Sequence, residues 1–297
     1  MNLKLHINIS LGYFLIVIFL GVIMRMYQVI EMDFNYKNIL HTHSHIALLG
    51  WVYTALTTLI FQLFLAEKNI ERSYSRLFWS TQISILGMMV TFPFTGYALF
   101  SIIFSTYFLI NSYVFLRLFL KHTSKEQKKT NSYKLIRASL WLMALSSLGP
   151  WALGGIMNTL GSTSSWYRNA IYFYLHFQYN GWFLLALIGL LFSVFERHSI
   201  NVTRKSFQIF YCLFLSGIFL TFFLSVLWMN PPLFYNYLGG FGSVLQIVAF
   251  GLLFKIIWIN KKNILINFSN YKFTIVKIIG VLYATKLVLQ LFGSVPY

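Results

Sequence analysis

Three histidines stand within five residues in Leu40-His41-Thr42-His43-Ser44-His45-Ile46-Ala47-Leu48-Leu49-Gly50-Trp51. Neutral imidazole is a common ligand of transition metals and haem iron, and such ligation needs fixed spacing in a water-poor site. On a helix that runs back through Leu40, His41 and His45 share a face and His43 points away. On a helix that begins near Ser44, the first two histidines lie in an extended lead-in and fold over the third. Either geometry offers imidazole nitrogens to one ion. The plainer reading is an interfacial cluster bonded to headgroups and loop carbonyls.

A second segment, Asn169-Ala170-Ile171-Tyr172-Phe173-Tyr174-Leu175-His176-Phe177-Gln178-Tyr179-Asn180-Gly181-Trp182, places Asn169, Tyr172, His176, Tyr179 and Asn180 on one helical face by steps of three and four. His176 lies about 10 Å along that helix, deep enough that an unpartnered imidazole costs energy. It requires either a metal or an interhelical hydrogen bond, for which Asn158, Thr159 and Gln246 are the candidates. The other histidines, His6, His122 and His198, fall in or beside basic segments and read as solvated. Arg25 and Lys286 lie well inside apolar stretches, where such cations either snorkel or meet an anionic group such as a haem propionate. Glu31 and Asp33 are possible further ligands for copper or zinc.

These residues are carried by a chain whose natural solvent is lipid. Of its 297 residues, 58% are hydrophobic and 20% aromatic, and only 10% are charged; the mean hydropathy is +0.69. Such values exclude a soluble globular domain. Hydrophobic windows place membrane-spanning helices near 8–30, 41–66, 77–97, 98–120, 138–160, 169–195, 206–229, 238–259 and 273–293, nine in all. Pro93 and Gly96 divide the third from the fourth. No internal repeat is visible, and 1–297 reads as a single transmembrane domain.

Lys and Arg outnumber Asp and Glu by 23 to 6, for a net charge of +17. Nucleic acid is not the implied partner, because the basic residues cluster in alternate loops. Lys68, Arg72 and Arg76 follow the second span. Lys121, Lys125, Lys128, Lys129, Lys134 and Arg137 follow the fourth, Arg197, Arg204 and Lys205 the sixth, and Lys261, Lys262 and Lys272 the eighth. The opposite loops hold little beyond Lys37 and Arg168, so the amino terminus is expected in the cytoplasm and Tyr297 outside. The histidine segments then open at the outer ends of the second and sixth spans.

The absences narrow the chemistry further. Expected helix interiors hold no Asp or Glu apart from Glu196 at one end, which argues against a carboxylate proton relay, an intramembrane protease and a di-iron carboxylate enzyme. No HExxH, GxSxG or Walker motif occurs. Cys212 is the one cysteine, so a disulfide, a CxxC pair and a CxxCH haem attachment are excluded within the chain.

The two histidine segments resemble the heme–copper oxidase superfamily, the catalytic subunit of cytochrome oxidases and nitric oxide reductases, over its first half. In that family the second helix opens outside with a histidine for the low-spin haem, often after Leu and before Thr. Leu40-His41-Thr42 and His45 through Trp51 are similar to it, with His45 in the better register. Tyr174-Leu175-His176-Phe177-Gln178-Tyr179-Asn180-Gly181-Trp182-Phe183 resembles the sixth helix, which carries a copper ligand in many oxidases. The family's late histidines have no counterpart, since none follows His198.

What the resemblance implies is a reduced relative in a bacterial cytoplasmic membrane. It would bind haem b, with His45 and His176 as axial ligands and Arg25 or Lys286 near the propionates, or a copper or zinc ion on His41, His43, His45 and His176. A membrane oxidoreductase, an electron carrier or a sensor would each use such a site, with quinol or another redox subunit as partner. The alternative is a small-solute transporter or channel with a histidine-lined vestibule, contacted by Asn158, Asn180 and Gln246.

Overall fold

A computed structural model describes residues 2–200, 202–261 and 270–296. Lys262 and Tyr297, used above for charge and orientation, lie outside the described residues, as does the side chain of Lys272. Among the described residues the chain is helical throughout, without strands, and nine helices are long and apolar enough to cross a membrane. They are α1 (Leu3–Met26), α2 (Tyr36–Phe64), α3 (Glu71–Thr95), α4 (Leu99–His122), α5 (Asn131–Thr159), α6 (Ser165–Arg197), α7 (Arg204–Met229) and α8 (Phe234–Ile259), with α9 spanning Asn270–Phe292. The exposed surface of these helices is rich in Phe, Leu, Ile, Val and Trp, including Phe19, Phe94, Leu99 and Trp258. The protein is a multi-pass membrane protein.

Several helices start earlier than hydropathy places them, because polar residues flanking the apolar windows cap and extend them. Asn2 caps α1 through its Oδ1. Asn35 caps α2 and accepts from the Lys37 amide at 3.0 Å. Thr130 and Thr203 cap α5 and α7 in the same way. The third and fourth spans are separate helices: α3 ends at Thr95, and Gly96 follows at φ 59°, a left-handed conformation that suits glycine. Asn38 on α2 fills the space beside Gly96, where a Cβ would lie 2.6 Å from Asn38 Oδ1. The Asn38 amide also donates to the Pro93 carbonyl at 3.4 Å.

The chain divides into two compact units, Met1–Lys128 and Lys129–Tyr297. The first holds α1 to α4. The second holds α5 to α8, with α9 added. Each repeats one internal arrangement that the sequence alone did not disclose. In each, the second helix turns π-helical directly after a histidine: Ile46–Tyr53 follows His45, and Phe177–Phe183 follows His176. π-Helical residues are well under 1% of protein structure and concentrate at functional sites, so the recurrence at one position is informative. Both segments carry glycine and tryptophan at the fifth and sixth positions after the histidine, Gly50-Trp51 and Gly181-Trp182.

The glycines sit where the first helix of each unit comes close. A Cβ on Gly50 would lie 3.1 Å from the Tyr13 ring of α1, and one on Gly181 would lie 3.0 Å from Leu142 of α5. The third helices repeat as well, in Gly87-Met88-Met89-Val90-Thr91-Phe92 and Gly217-Ile218-Phe219-Leu220-Thr221-Phe222. Each threonine hydroxyl donates to the glycine carbonyl one turn back, at 2.7 Å for Thr91 and 2.8 Å for Thr221. Each glycine faces the fourth helix of its unit, Gly87 against Phe104 and Gly217 against Gly242 and Gln246. Each phenylalanine packs on the histidine of its unit, Phe92 on His45 at 4.5 Å and Phe222 on His176 at 5.6 Å between ring centroids.

Both interiors combine buried aromatic and polar residues. In the second, Phe192, Phe207, Phe210 and Phe214 are fully buried beside Leu135, Leu185 and Ile218. In the first, buried Thr54, Thr57, Thr58, Thr81, Gln82, Ser84, Asn111 and Ser112 intersperse the apolar core. Hydroxyls of that group donate to carbonyls of their own helices, as with Thr57 to Tyr53 at 2.7 Å and Thr81 to Leu77 at 2.8 Å.

Candidate functional site

The helix through His41 settles the first geometric choice: α2 begins at Tyr36, so all three histidines of the cluster are helical. His41 and His45 share a face, and both rings meet the Tyr97 ring edge-on, with centroids at 4.7 and 5.9 Å. Tyr97 is delivered there by the α3–α4 turn that Gly96 makes and Asn38 holds. His43, two residues from each neighbour, lies on the opposite side, with its Cε1 3.4 Å from where a Cβ on Gly21 of α1 would sit.

Hydrogen bonds distinguish the three rings. His45 Nδ1 lies 2.8 Å from the His41 carbonyl, which accepts its proton and leaves Nε2 with the lone pair. Nε2 has only a long contact, 3.4 Å to the Tyr97 hydroxyl. His41 Nε2 and His43 Nδ1 are buried without a partner, a condition that costs about 1–3 kcal/mol for each group. An imidazole oriented by a carbonyl at one nitrogen, with the lone pair and a single long contact at the other, has the form of a metal ligand with its outer support already made. Arg25, also in this unit, lines an open groove of about 630 Å³ with Ile18, Gly21, Val22 and Met26 along α1.

His176 is fitted differently. Buried at 6% exposure, it donates from Nε2 to the Ile218 carbonyl of α7 at 2.8 Å. Its Nδ1 therefore accepts, with Ser225 Oγ at 3.3 Å and the Asn180 amide at 3.4 Å. The expected partners Asn158 and Thr159 instead donate within their own helix, to Gly154 and Gly155. The π-helical turn brings Asn180 over His176 and leaves Tyr179, placed on the same face by α-helical spacing, 47% exposed.

Asn180 connects His176 to Lys286, whose Nζ donates to Asn180 Oδ1 at 3.0 Å and to Gln290 Oε1. From Gln290 the amide passes bonds at 3.0 Å to both Ser243 and Gln246 of α8, and the Gln246 amide continues at 3.3 Å to Thr221. All donors run outward from the ammonium, and the two arms end on the neighbouring carbonyls of Gly217 and Ile218. Lys286 is thus satisfied by amide oxygens. The carboxylate described in this unit, Glu196, is engaged by the backbone amides of Asn131 and Ser132 and by the Ser132 hydroxyl.

The structure places His41, His43, His45 and Arg25 in the first unit, and His176 and Lys286 in the second. Among the described residues, no three His, Cys, Asp or Glu side chains are gathered so as to hold a metal ion. Within α2 the reason is helical: residues two apart project in opposite directions. His6, expected to be solvated, is 2% exposed and stacked on Phe78 at 3.6 Å, because α1 starts at Leu3 and carries it a turn inside. Tyr97 and Gln290 escaped the sequence reading, although the Pro93–Gly96 break beside Tyr97 and the i,i+4 spacing of Lys286 and Gln290 are signals for them. No protein-family model, no curated protein and no solved structure matches the chain.

Proposed function

We propose that the first unit binds haem b or a copper or zinc ion at the histidine end of α2, with His45 Nε2 as the leading ligand and His41 Nε2 beside it. The supporting observation is the pairing of these rings: one is oriented by a carbonyl and its second nitrogen meets only the Tyr97 hydroxyl, at 3.4 Å, and the other, on the same face, has a buried Nε2 with no partner. The donor set suits an imidazole-binding metal. When bound, haem or copper would supply one-electron chemistry; zinc would supply a Lewis acid. His176 is left out of the ligand set because its lone-pair nitrogen, Nδ1, already faces two donors, Ser225 Oγ at 3.3 Å and the Asn180 amide at 3.4 Å.

The same reading makes the chain a reduced relative of the heme–copper oxidase catalytic subunit, placed in a bacterial cytoplasmic membrane with its amino terminus inside on the positive-inside argument. Its partners are the lipid bilayer and quinol or another redox subunit. The amide and lysine network of the second unit favours a second reading, a small-solute transporter whose solute exchanges with Asn180 and Gln246. The visible spectrum and metal content of the purified protein separate the two. A Soret band, or near-stoichiometric metal, that disappears in His45→Ala and weakens in His41→Ala supports the first. Neither chromophore nor metal in the wild type rejects it.

A further inference from the structure

In the first unit the π-helical segment of α2 ends at Tyr53 and α-helix resumes at Thr54. Against this junction lies a small space of about 10 Å³, lined among others by Thr54, Thr57, Tyr74, Thr81 and Gln82. That volume is about what one water requires. On two of its lining residues, 1% and 3% exposed, the atoms Thr54 Oγ1 and Gln82 Oε1 are buried without any partner.

Three other hydroxyls on lining residues have their protons placed elsewhere. The hydroxyl protons of Thr57 and Thr81 go to the Tyr53 and Leu77 carbonyls, and the Tyr74 hydroxyl is committed to Thr58 at 3.3 Å. Gln82 Oε1 can only accept. The lining therefore calls for a guest that donates hydrogen, is small and is neutral, since no carboxylate lines the space. A space that clears a water-sized sphere also sets guest-to-oxygen distances near the 2.7–2.8 Å of O–H···O bonds, longer than the roughly 2.3–2.6 Å of hard-cation coordination.

We propose that this junction binds one ordered water, which donates to Gln82 Oε1 and bonds Thr54 Oγ1, and so fastens α3 to α2 where the π-helix ends. The water satisfies both unpartnered atoms at once and places a hydrated point within an apolar span.

The test uses the full chain in lipid bilayers, with magnetisation transfer from water to side chains read by solid-state NMR. Transfer to the Thr54 and Gln82 side chains is expected, unchanged when sodium is replaced by choline. Thr54→Val, which keeps the shape, should remove transfer at Gln82, and Thr54→Ser should retain it. Gln82→Leu should likewise remove transfer at Thr54, and the double variant should melt no lower than the worse single one. Absence of transfer at both residues in the wild type overturns the proposal. So does transfer at Gln82 that survives Thr54→Val, additive losses of melting temperature, or a melting temperature that rises specifically with sodium, which would identify a cation as the guest.

Discussion

His45 and His176 occupy matching places in two similarly built units, each at the start of a π-helical segment, each before a Gly-Trp pair, and each against a phenylalanine of the third helix. Their hydrogen bonding has diverged. His45 takes its support from its own helix and keeps Nε2 nearly open, with a second imidazole unpartnered beside it. His176 spends Nε2 on a neighbouring helix and is tied through Asn180 to Lys286. In both rings one nitrogen donates to a carbonyl at 2.8 Å and the other accepts, but His45 is fastened to its own helix and His176 joins two helices. The π-helix marks the position of the ring, and the carbonyl it reaches differs between the units.

The sharpest way to break this comparison is to remove each ring. His176→Ala deletes a buried side chain and its bonds to the Ile218 carbonyl and the Asn180 amide, at an expected cost of about 3–5 kcal/mol. A large drop in melting temperature should follow, with ligand content per folded molecule unchanged. His45→Ala should do the reverse, with bound haem or metal lost and the melting temperature of the apo form changed little. If His176→Ala abolishes ligand binding in protein that remains folded, the two rings are not divided in this way.

Glycine substitutions test whether the two third helices are equally tight. A Cβ on Gly217 would lie 2.6 Å from Gln246 Cγ and 3.0 Å from the Gly242 carbonyl oxygen, whereas the nearest atoms to one on Gly87 belong to the Phe104 ring, at 2.3 Å. Backbone cannot rotate aside, but a ring at the membrane face can. Gly217→Ala should therefore destabilise by about 2–3 kcal/mol and Gly87→Ala by about 1 kcal/mol or less. Thermal unfolding of the two single variants measures the difference. Equal losses would show that α3 and α4 pack as rigidly as α7 and α8.

Much of this was legible in the residues. Nine apolar windows give the nine spans, because hydropathy over about 20 residues is the strongest signal a membrane imposes. The spacing of His41 and His45 gives their shared face. Three features were hidden. The π-helical turns lie outside what α-helical periodicity encodes, and through the second of them Tyr179 leaves the face that it was expected to share with Asn180. The partner of His176 is a backbone carbonyl, Ile218, and every residue has one, so composition cannot single it out. The repeat rests on a few positions, His, Gly, Trp, Thr and Phe, among residues that otherwise differ, and it becomes visible once each is seen touching the same kind of neighbour.

The smallest expected difference concerns the threonines of that repeat. Thr91 and Thr221 both return their hydroxyl protons to the glycine carbonyl one turn back, a local bond that contributes little to stability. Thr221 Oγ1 additionally accepts from the Gln246 amide at 3.3 Å, the link that closes the arm from Lys286. Valine keeps the shape and removes the hydroxyl. Thr91→Val should change stability by no more than about 0.5 kcal/mol, while Thr221→Val leaves a buried amide without its acceptor and should cost about 1–2 kcal/mol. A double variant with Gln246→Leu decides the cause: removing both ends of the bond should recover part of the Thr221→Val loss. If the double variant loses the sum of both single effects, Thr221 and Gln246 are not coupled through this bond, and the arm from Lys286 stops at Gln246.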